Sequence, residues 1–279
     1  MRPLIGTSTK MNLTSSETAR YFDALLPLVT GATGCDVFVL PPFTSIWVAR
    51  DSLAHSRIAW GAQDVNPEES GAHTGDVSAP MLVDLGCSYV EVGHSERRRD
   101  YGETQELVAA KVAQVLRHTM TPILCVGEPT RLSLDATVEF VLDQVAGGLA
   151  EVRSHALARI VVAYEPVWAI GQGSVTAPRD HVSAIHREIH RWLDRAGRDA
   201  GSNSAPDMDG ARTNGAGEAA MPRVIYGGSV DGITAETLLA ADAVDGLFVG
   251  RAALDPAQFA RIVAAGERRA TTAQPPAGR

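Results

Sequence analysis

The amino-acid sequence predicts an α/β protein with a single-domain (β/α)8 architecture, eight parallel strands closed into a barrel inside a ring of helices. Three observations carry this prediction. Short apolar, β-rich runs recur along the 279-residue chain, each followed by helical patterning. No glycine-rich dinucleotide fingerprint follows the first run, which weakens the alternative of a doubly wound open sheet. Side chains suited to chemistry fall directly after several of these runs, where a barrel of this kind places its active site.

The strand candidates, in chain order, are Leu4–Ser8, Asp36–Leu40, Ile58–Ala62, Tyr89–Val92, Pro122–Val126, Ile160–Tyr164, Val224–Tyr226 and Gly246–Val249. The interleaved helix candidates are Ser15–Val29, Ser45–Ala54, a shorter one near Pro80–Leu85, Glu103–His118, Leu134–Glu151, Arg179–Arg195, Ala235–Leu239 and Pro256–Ala264. Ala177-Pro178 and Asp255-Pro256 read as helix starts, because proline suits the first helical turn. The stretch from Asp199 to Pro222 breaks the rhythm. It is rich in Gly, Ser, Ala, Asn and Asp, has no apolar period, and is expected to be a disordered insertion on the N-terminal face of the barrel. The expected domain is therefore residues 1–265 with an insertion at 199–222, followed by a loose tail at 266–279.

Composition narrows the function. Hydrophobic residues make up 45% and charged residues 21%, as in a globular chain, and the formal charge of −8 argues against a nucleic-acid surface. No run approaches the roughly 20 apolar residues of a membrane span, and the N-terminal apolar run is too short for a secretion signal. Cys35, Cys87 and Cys125 are widely spaced and form neither a metal-ligand pattern nor a disulfide framework, so a reduced, cytoplasmic protein is expected. Only two of the 25 basic residues are lysines, Lys10 and Lys111, which makes a lysine at a strand end conspicuous.

Five features follow five different strands. Lys10 follows the first, His94 the fourth and Glu165 the sixth, while the turns Gly227-Gly228-Ser229 and Gly250-Arg251 follow the seventh and eighth. A lone glutamate after a strand is more often half of an ion pair than a base, and a lone lysine is usually solvated. In a barrel, however, all these strand ends open into one mouth. Removing a proton from carbon beside a carbonyl needs a carboxylate base in a dry pocket and a donor that polarises the carbonyl. Glu165 suits the first task and His94 the second. The Gly93-His94-Ser95-Glu96 stretch opens a short helix, whose N-terminus disfavours imidazolium. Lys10 offsets the charge of an enediolate and a phosphate. Backbone N–H groups at Gly171, Ser229, Gly250 and Arg251 suit a phosphate dianion. No cofactor and no metal are required.

The segments VEVGHSERR, AYEPVWAIGQG, YGGSV and DGLFVGR resemble the triosephosphate isomerase family in order and spacing, as do ILCVGE and the GAQD…GAHTGD pair. The resemblance spans nearly the whole chain apart from the insertion and tail. It implies a TIM barrel and a cofactor-independent aldose–ketose isomerase acting on a small phosphorylated sugar through an enediolate. It further implies Glu165 as base, His94 as electrophile, and Lys10 with Glu96 beside it. The lid would comprise Pro166, Val167, Trp168, Ala169, Ile170, Gly171, Gln172, Gly173, Ser174, Val175 and Thr176. The resemblance also implies a homodimer, whose loop of His73, Thr74, Gly75 and Asp76 inserts beside the neighbour's site, and it gives Cys125 a structural place beside Glu165.

The chain also departs from the family pattern. Ser8 stands where the family has an asparagine, and offers one donor in place of two. Arg251 replaces a glycine, keeping the backbone N–H and adding a guanidinium at the phosphate end. Ser174-Val175-Thr176 replaces the usual lid ending. The GTS start and VGR ending also resemble a side branch acting on erythrulose phosphates in erythritol catabolism, so triose and tetrulose phosphates both stand as substrates. Other classes fit less well. A non-catalytic phosphate-binding barrel would be expected to lack one of Lys10, His94 and Glu165. A Schiff-base aldolase needs a buried reactive lysine, and Lys111 falls in a helix pattern. A metal-dependent isomerase needs clustered His and carboxylate ligands, which the strand ends do not display in sequence.

Overall fold

The computed structural model describes residues 1–171, 175–199 and 221–273. Eight strands close into one barrel in sequence order: β1 (Leu4–Ser8), β2 (Asp36–Leu40), β3 (Ile58–Ala62), β4 (Tyr89–Val92), β5 (Thr121–Val126), β6 (Val161–Tyr164), β7 (Arg223–Tyr226) and β8 (Gly246–Val249). Every pairing is parallel, and β1 closes on β8 with Leu4 opposite Gly246. The eight-strand barrel predicted from the sequence is the observed fold, and the strand ends differ by one residue at most.

Alternation along the strands sorts the side chains into two apolar layers. Leu4, Phe38, Leu40, Ile123, Cys125, Val161, Ala163, Ile225 and Phe248 fill the barrel interior. The alternate positions, such as Ile5, Val37, Val90, Val92, Val162 and Leu247, pack against the helices. Each such side chain, fully buried, contributes about 1.5–3 kcal/mol relative to exposure. Phe38 plugs the interior, stacking on Tyr89 at 4.8 Å and touching Phe248 at 5.6 Å. Gly6 makes room for that plug, since a Cβ there would stand 1.9 Å from the Phe38 ring. The plug keeps water from the floor of the site above it.

The helices are α1 (Ser15–Val29), α2 (Ile46–Leu53), α3 (Ala79–Asp84), α4 (Ser95–Tyr101), α5 (Gln105–Arg117), α6 (Leu134–Gly148), α7 (Arg179–Asp199), α8 (Ala235–Leu239) and α9 (Pro256–Ala273). Side-chain caps fix several starts. Thr14 and Glu17 form a reciprocal capping box on α1, and Thr104 and Ser133 cap α5 and α6. Lys111 of α5 is buried in an ion cluster, 2.7 Å from Asp64 and 2.5 Å from Glu103, and Arg97 of α4 joins it at 2.7 Å from Asp64. That cluster ties the loop after β3 to α4 and α5.

The C-terminal boundary needs correction. Residues 266–273 are not loose but continue α9. The cause is tertiary. Glu267 accepts hydrogen bonds from the backbone N–H groups of Thr33, Gly34 and Cys35 at 3.1, 2.7 and 2.8 Å, and Arg268 pairs with Glu236 of α8 at 2.5 Å. Likewise α7 runs to Asp199, four residues past the predicted end. Residues 200–220 of the expected insertion, 172–174 of the expected lid and 274–279 of the tail lie outside the described residues. Among the described residues, no helix is long and apolar enough to cross a membrane.

Candidate active site

The C-terminal ends of the strands surround a cavity of about 610 Å³ lined by Ser8, Lys10, Glu91, His94, Glu96, Glu165, Gly171, Ser229, Gly250 and Arg251. Each of these except Glu91 is a residue that the sequence singles out.

Lys10 sits just past β1 with φ of 51°, a left-handed conformation costly for a side-chain-bearing residue. Gln63 holds it there by donating to the carbonyls of Lys10 and Leu40 at 3.1 and 2.9 Å. The Lys10 ammonium donates to Glu96 Oε1 at 2.7 Å and lies 3.3 Å from His94 Nε2. Burial opposes its charge, but the Glu96 hydrogen bond and the Glu165 carboxylate outweigh that and raise its proton affinity.

His94 is the N-cap of α4, and its Nδ1 accepts the backbone N–H of Glu96 at 3.1 Å. That bond fixes the tautomer: Nδ1 is bare, so the neutral ring carries its proton on Nε2, which faces the cavity. Burial and the nearby Lys10 ammonium push the imidazolium pKa down to about 4. Lys10 Nζ and His94 Nε2–H are therefore two donors converging on one place, where a substrate oxygen fits between them.

Glu165 follows β6 and is 4% exposed. Its Oε2 lies 3.3 Å from His94 Nε2 yet receives no hydrogen bond. Burial first, and the Glu91 carboxylate next, raise the Glu165 pKa well above the usual carboxylate range. A poorly solvated carboxylate with an unsatisfied oxygen is a strong base. Gly227 permits the placement, since a Cβ there would stand 2.5 Å from Glu165 Cγ.

Behind Glu165, the start of the lid forms a 3-10 turn at Val167–Ala169. Trp168 donates its indole N–H to buried Glu128 at 2.5 Å, and Tyr164 donates its hydroxyl to the same carboxylate at 3.2 Å. Pro166, Ile170 and Gly171 continue the segment, Gly171 with φ of 112°. Val175 is exposed, while Thr176 donates to the Ser229 carbonyl at 3.1 Å. Ser229 is engaged differently from the sequence expectation: both its N–H and its hydroxyl donate to the Ala169 carbonyl, at 3.0 and 2.8 Å. Gly250 and Arg251 open a 3-10 turn at the cavity rim, with the Arg251 side chain exposed. His73, Thr74, Gly75 and Asp76 form an exposed loop away from these groups.

Sequence reasoning missed Glu91, an acid on β4 at an inward-facing position otherwise given to apolar residues. The signal was its place two residues before the Gly93-His94 pair, on the same strand face as Tyr89. Glu91, His94 and Glu165 each offer a ligand atom within 4.8 Å of the others, so a His-carboxylate cluster exists where the sequence displayed none. His94 would have to surrender its Nε2 proton and its Glu96 bond to ligate a metal there, and the Lys10 ammonium stands 3.3 Å away. The donor set therefore suits proton transfer better than a divalent ion.

A family model described as Triosephosphate isomerase matches residues 3–206 and 209–266. A curated triosephosphate isomerase from a Roseiflexus species is 42% identical over 94% of this chain and 96% of the relative. Those of Aquifex aeolicus and Thermus thermophilus are 38% and 40% identical over 94% of this chain, covering 99% and 98% of the relatives. The protein is an isomerase, and the chain belongs to the triosephosphate isomerase family.

Proposed function

We propose that the protein interconverts dihydroxyacetone phosphate and glyceraldehyde 3-phosphate without a cofactor. The observation that carries this reading is the convergence of the Lys10 and His94 donors on a point facing the unpartnered oxygen of Glu165. Glu165 takes a proton from the carbon beside the carbonyl. His94 Nε2–H hydrogen-bonds the carbonyl oxygen as it becomes an enediolate, and Lys10, held by Glu96, offsets the growing charge. Glu165 then returns the proton to the neighbouring carbon, while the hydroxyl proton passes from one enediolate oxygen to the other at His94 Nε2. The family is a standard example of a glutamate base paired with a neutral histidine. Ser8 sits beside the reacting end, and Gly171, Ser229, Gly250 and Arg251 take the phosphate. Because the Ala169 carbonyl occupies both Ser229 donors, phosphate capture there requires the segment that carries Ala169 to move.

The names of the relatives favour a triose over a tetrulose phosphate and a place in glycolysis and gluconeogenesis. Homodimerisation fits the exposed apolar side chains beside the β1–β4 loops, Met11 at 96% and Tyr101 at 71% exposure among them, with the loop of His73, Thr74, Gly75 and Asp76 reaching the partner. Three buried, unpaired cysteines suit a cytoplasmic protein. The test is turnover per active site on the two trioses and on the erythrulose phosphates side by side. A strong triose preference is expected, and a tetrulose preference would overturn the substrate assignment. Light scattering of the purified chain tests the dimer.

A further inference from the structure

Glu91 has no part in the chemistry described so far, yet it is 3% exposed and lines the floor of the reacting end of the cavity. Its inward position on β4 lies opposite Ile123, in a barrel interior otherwise filled by apolar side chains above the Phe38 plug. A carboxylate so placed is expensive unless it is paired or protonated. The charged and titratable groups facing it are Lys10 after β1, Asp64 after β3, His94 and Glu96 at the start of α4, Cys125 on β5 and Glu165 after β6. Among the described residues, no lysine or arginine forms an ion pair with it. Close to it stand His94 Nε2 at 4.0 Å, on a neutral ring, and the Cys125 thiol at 3.9 Å. The Glu165 carboxylate falls within the same 4.8 Å cluster. Two carboxylates in one dry pocket do not both ionise readily near neutrality, and one proton stays on the pair.

We propose that Glu91 and Glu165 form a coupled carboxyl dyad that retains one proton on the pair near neutrality, with Glu91 a positioning residue whose negative charge, set beside Glu165 in the dry floor of the cavity, strengthens Glu165 as a base. The proton balance is simple. Glu91 acts only through its charge, Glu165 alone gains and returns the substrate proton, and no other reactant is needed. Burial raises the Glu91 pKa to about 7, outweighing the Ser8 hydroxyl, whose hydrogen bond to Glu91 favours the charged form. The catalytic side of this inference rests on the reading of Glu165 as base, while the shared proton does not.

The test uses the full chain labelled with carbon-13 at the glutamate side-chain carboxyls. In the wild-type protein, two carboxyl signals should titrate together, with one proton released around neutral pH. In Glu91→Gln, which keeps the side-chain shape and removes the charge, the Glu165 signal should titrate lower by roughly one to two pH units, as expected for removing a like charge within a few ångströms at intermediate dielectric. The acid limb of the kcat/KM profile on dihydroxyacetone phosphate should move down by the same amount, and Glu91→Asp should move it back. Wild-type signals showing both carboxyls ionised at pH 5 would overturn the dyad, and this measurement needs no variant to fold. An unmoved acid limb in a folded Glu91→Gln, even with lowered kcat, would reduce Glu91 to a structural role and also overturn it. A dyad seen by resonance in a protein without isomerase activity would uphold the shared proton and sink the functional reading instead.

Discussion

Replacing Gly227 by alanine tests how closely the base is held. Gly227 follows β7, and its N–H donates to the Tyr164 carbonyl at 2.8 Å. Its backbone is not left-handed, so an alanine meets no conformational strain there. What it meets is Glu165: the new methyl would stand 2.5 Å from Cγ, 2.7 Å from Oε1 and 3.1 Å from Cδ. The opposite side of the carboxylate is bounded by His94 Nε2 at 3.3 Å. To regain ordinary contact the Glu165 side chain must retreat by roughly 1 Å, and a displacement of that size in a reacting group costs on the order of 10²-fold in turnover, about 2.7 kcal/mol of barrier. Overpacking costs about 1–3 kcal/mol of stability, at the lower end here because a side chain rather than backbone gives way. The assay is steady-state kinetics with dihydroxyacetone phosphate, alongside a thermal melt. Gly31→Ala, where no atom lies within 4 Å of the new methyl, controls for the generic effect of the exchange. A Gly227→Ala protein with kcat within about threefold of wild type would show that the placement of Glu165 is not set by Gly227, and would refute the claim that the catalytic geometry is as tight as these distances require.

Further outcomes follow from the same geometry. Glu165→Asp withdraws the carboxylate by about one bond length, roughly 1.5 Å, and should lower kcat by at least about 10²-fold while leaving the melting temperature and KM nearly unchanged, and a near-normal kcat would remove Glu165 as the base. Trp168→Phe deletes the indole N–H that reaches Glu128 at 2.5 Å, leaving that buried carboxylate with Tyr164, so melting should report a loss of about 1.5–3 kcal/mol and kcat should change through the lid, and an unchanged melt would show that this bond does not hold the lid base. Glu267→Ala strips the acceptor from three backbone N–H groups of residues 33–35, and denaturant titration should show a loss of about 1–3 kcal/mol with kcat intact, whereas no loss would mean that the last turns of α9 are not docked.

The strands were legible in the sequence because a parallel barrel buries both strand faces. Each strand must then read as a short, nearly unbroken apolar run, and a run such as Asp36–Leu40 carries its own boundaries. Helix ends were less legible, because the last turns are decided by partners distant in sequence. Nothing in Gly266–Ala273 announces that Glu267 will find three unpaired N–H groups after α1. The proposed catalytic trio was legible for a reason of topology: once eight strands are parallel, the residues just after the strands face the same mouth, and Lys10, His94 and Glu165 need no further information to be brought together. The commitment of Ser229 to the Ala169 carbonyl was not legible, since it depends on where the lid rests.

Glu91 was missed for the converse reason. It lies within a strand, and reasoning from strand ends passes over it. The parity of β4 contains the needed information: Val90 and Val92 pack against helices, so Tyr89 and Glu91 must point into the barrel, and an acid at an inward position has only the cavity above it to face. Ser8 obeys the same parity on β1, below Lys10, and its hydroxyl is the group that hydrogen-bonds Glu91. The two residues thus share the floor of the site: a short hydroxyl on β1 and a long carboxyl on β4, meeting beneath the point where Lys10 and His94 converge. Exchanging either alone leaves the other facing an altered partner, so their effects on the acid limb of the pH profile should be non-additive. A double-mutant cycle of Ser8→Ala and Glu91→Gln measures that coupling. Additive shifts in the acid limb would mean that Ser8 acts on the substrate alone and that Glu91 titrates without it.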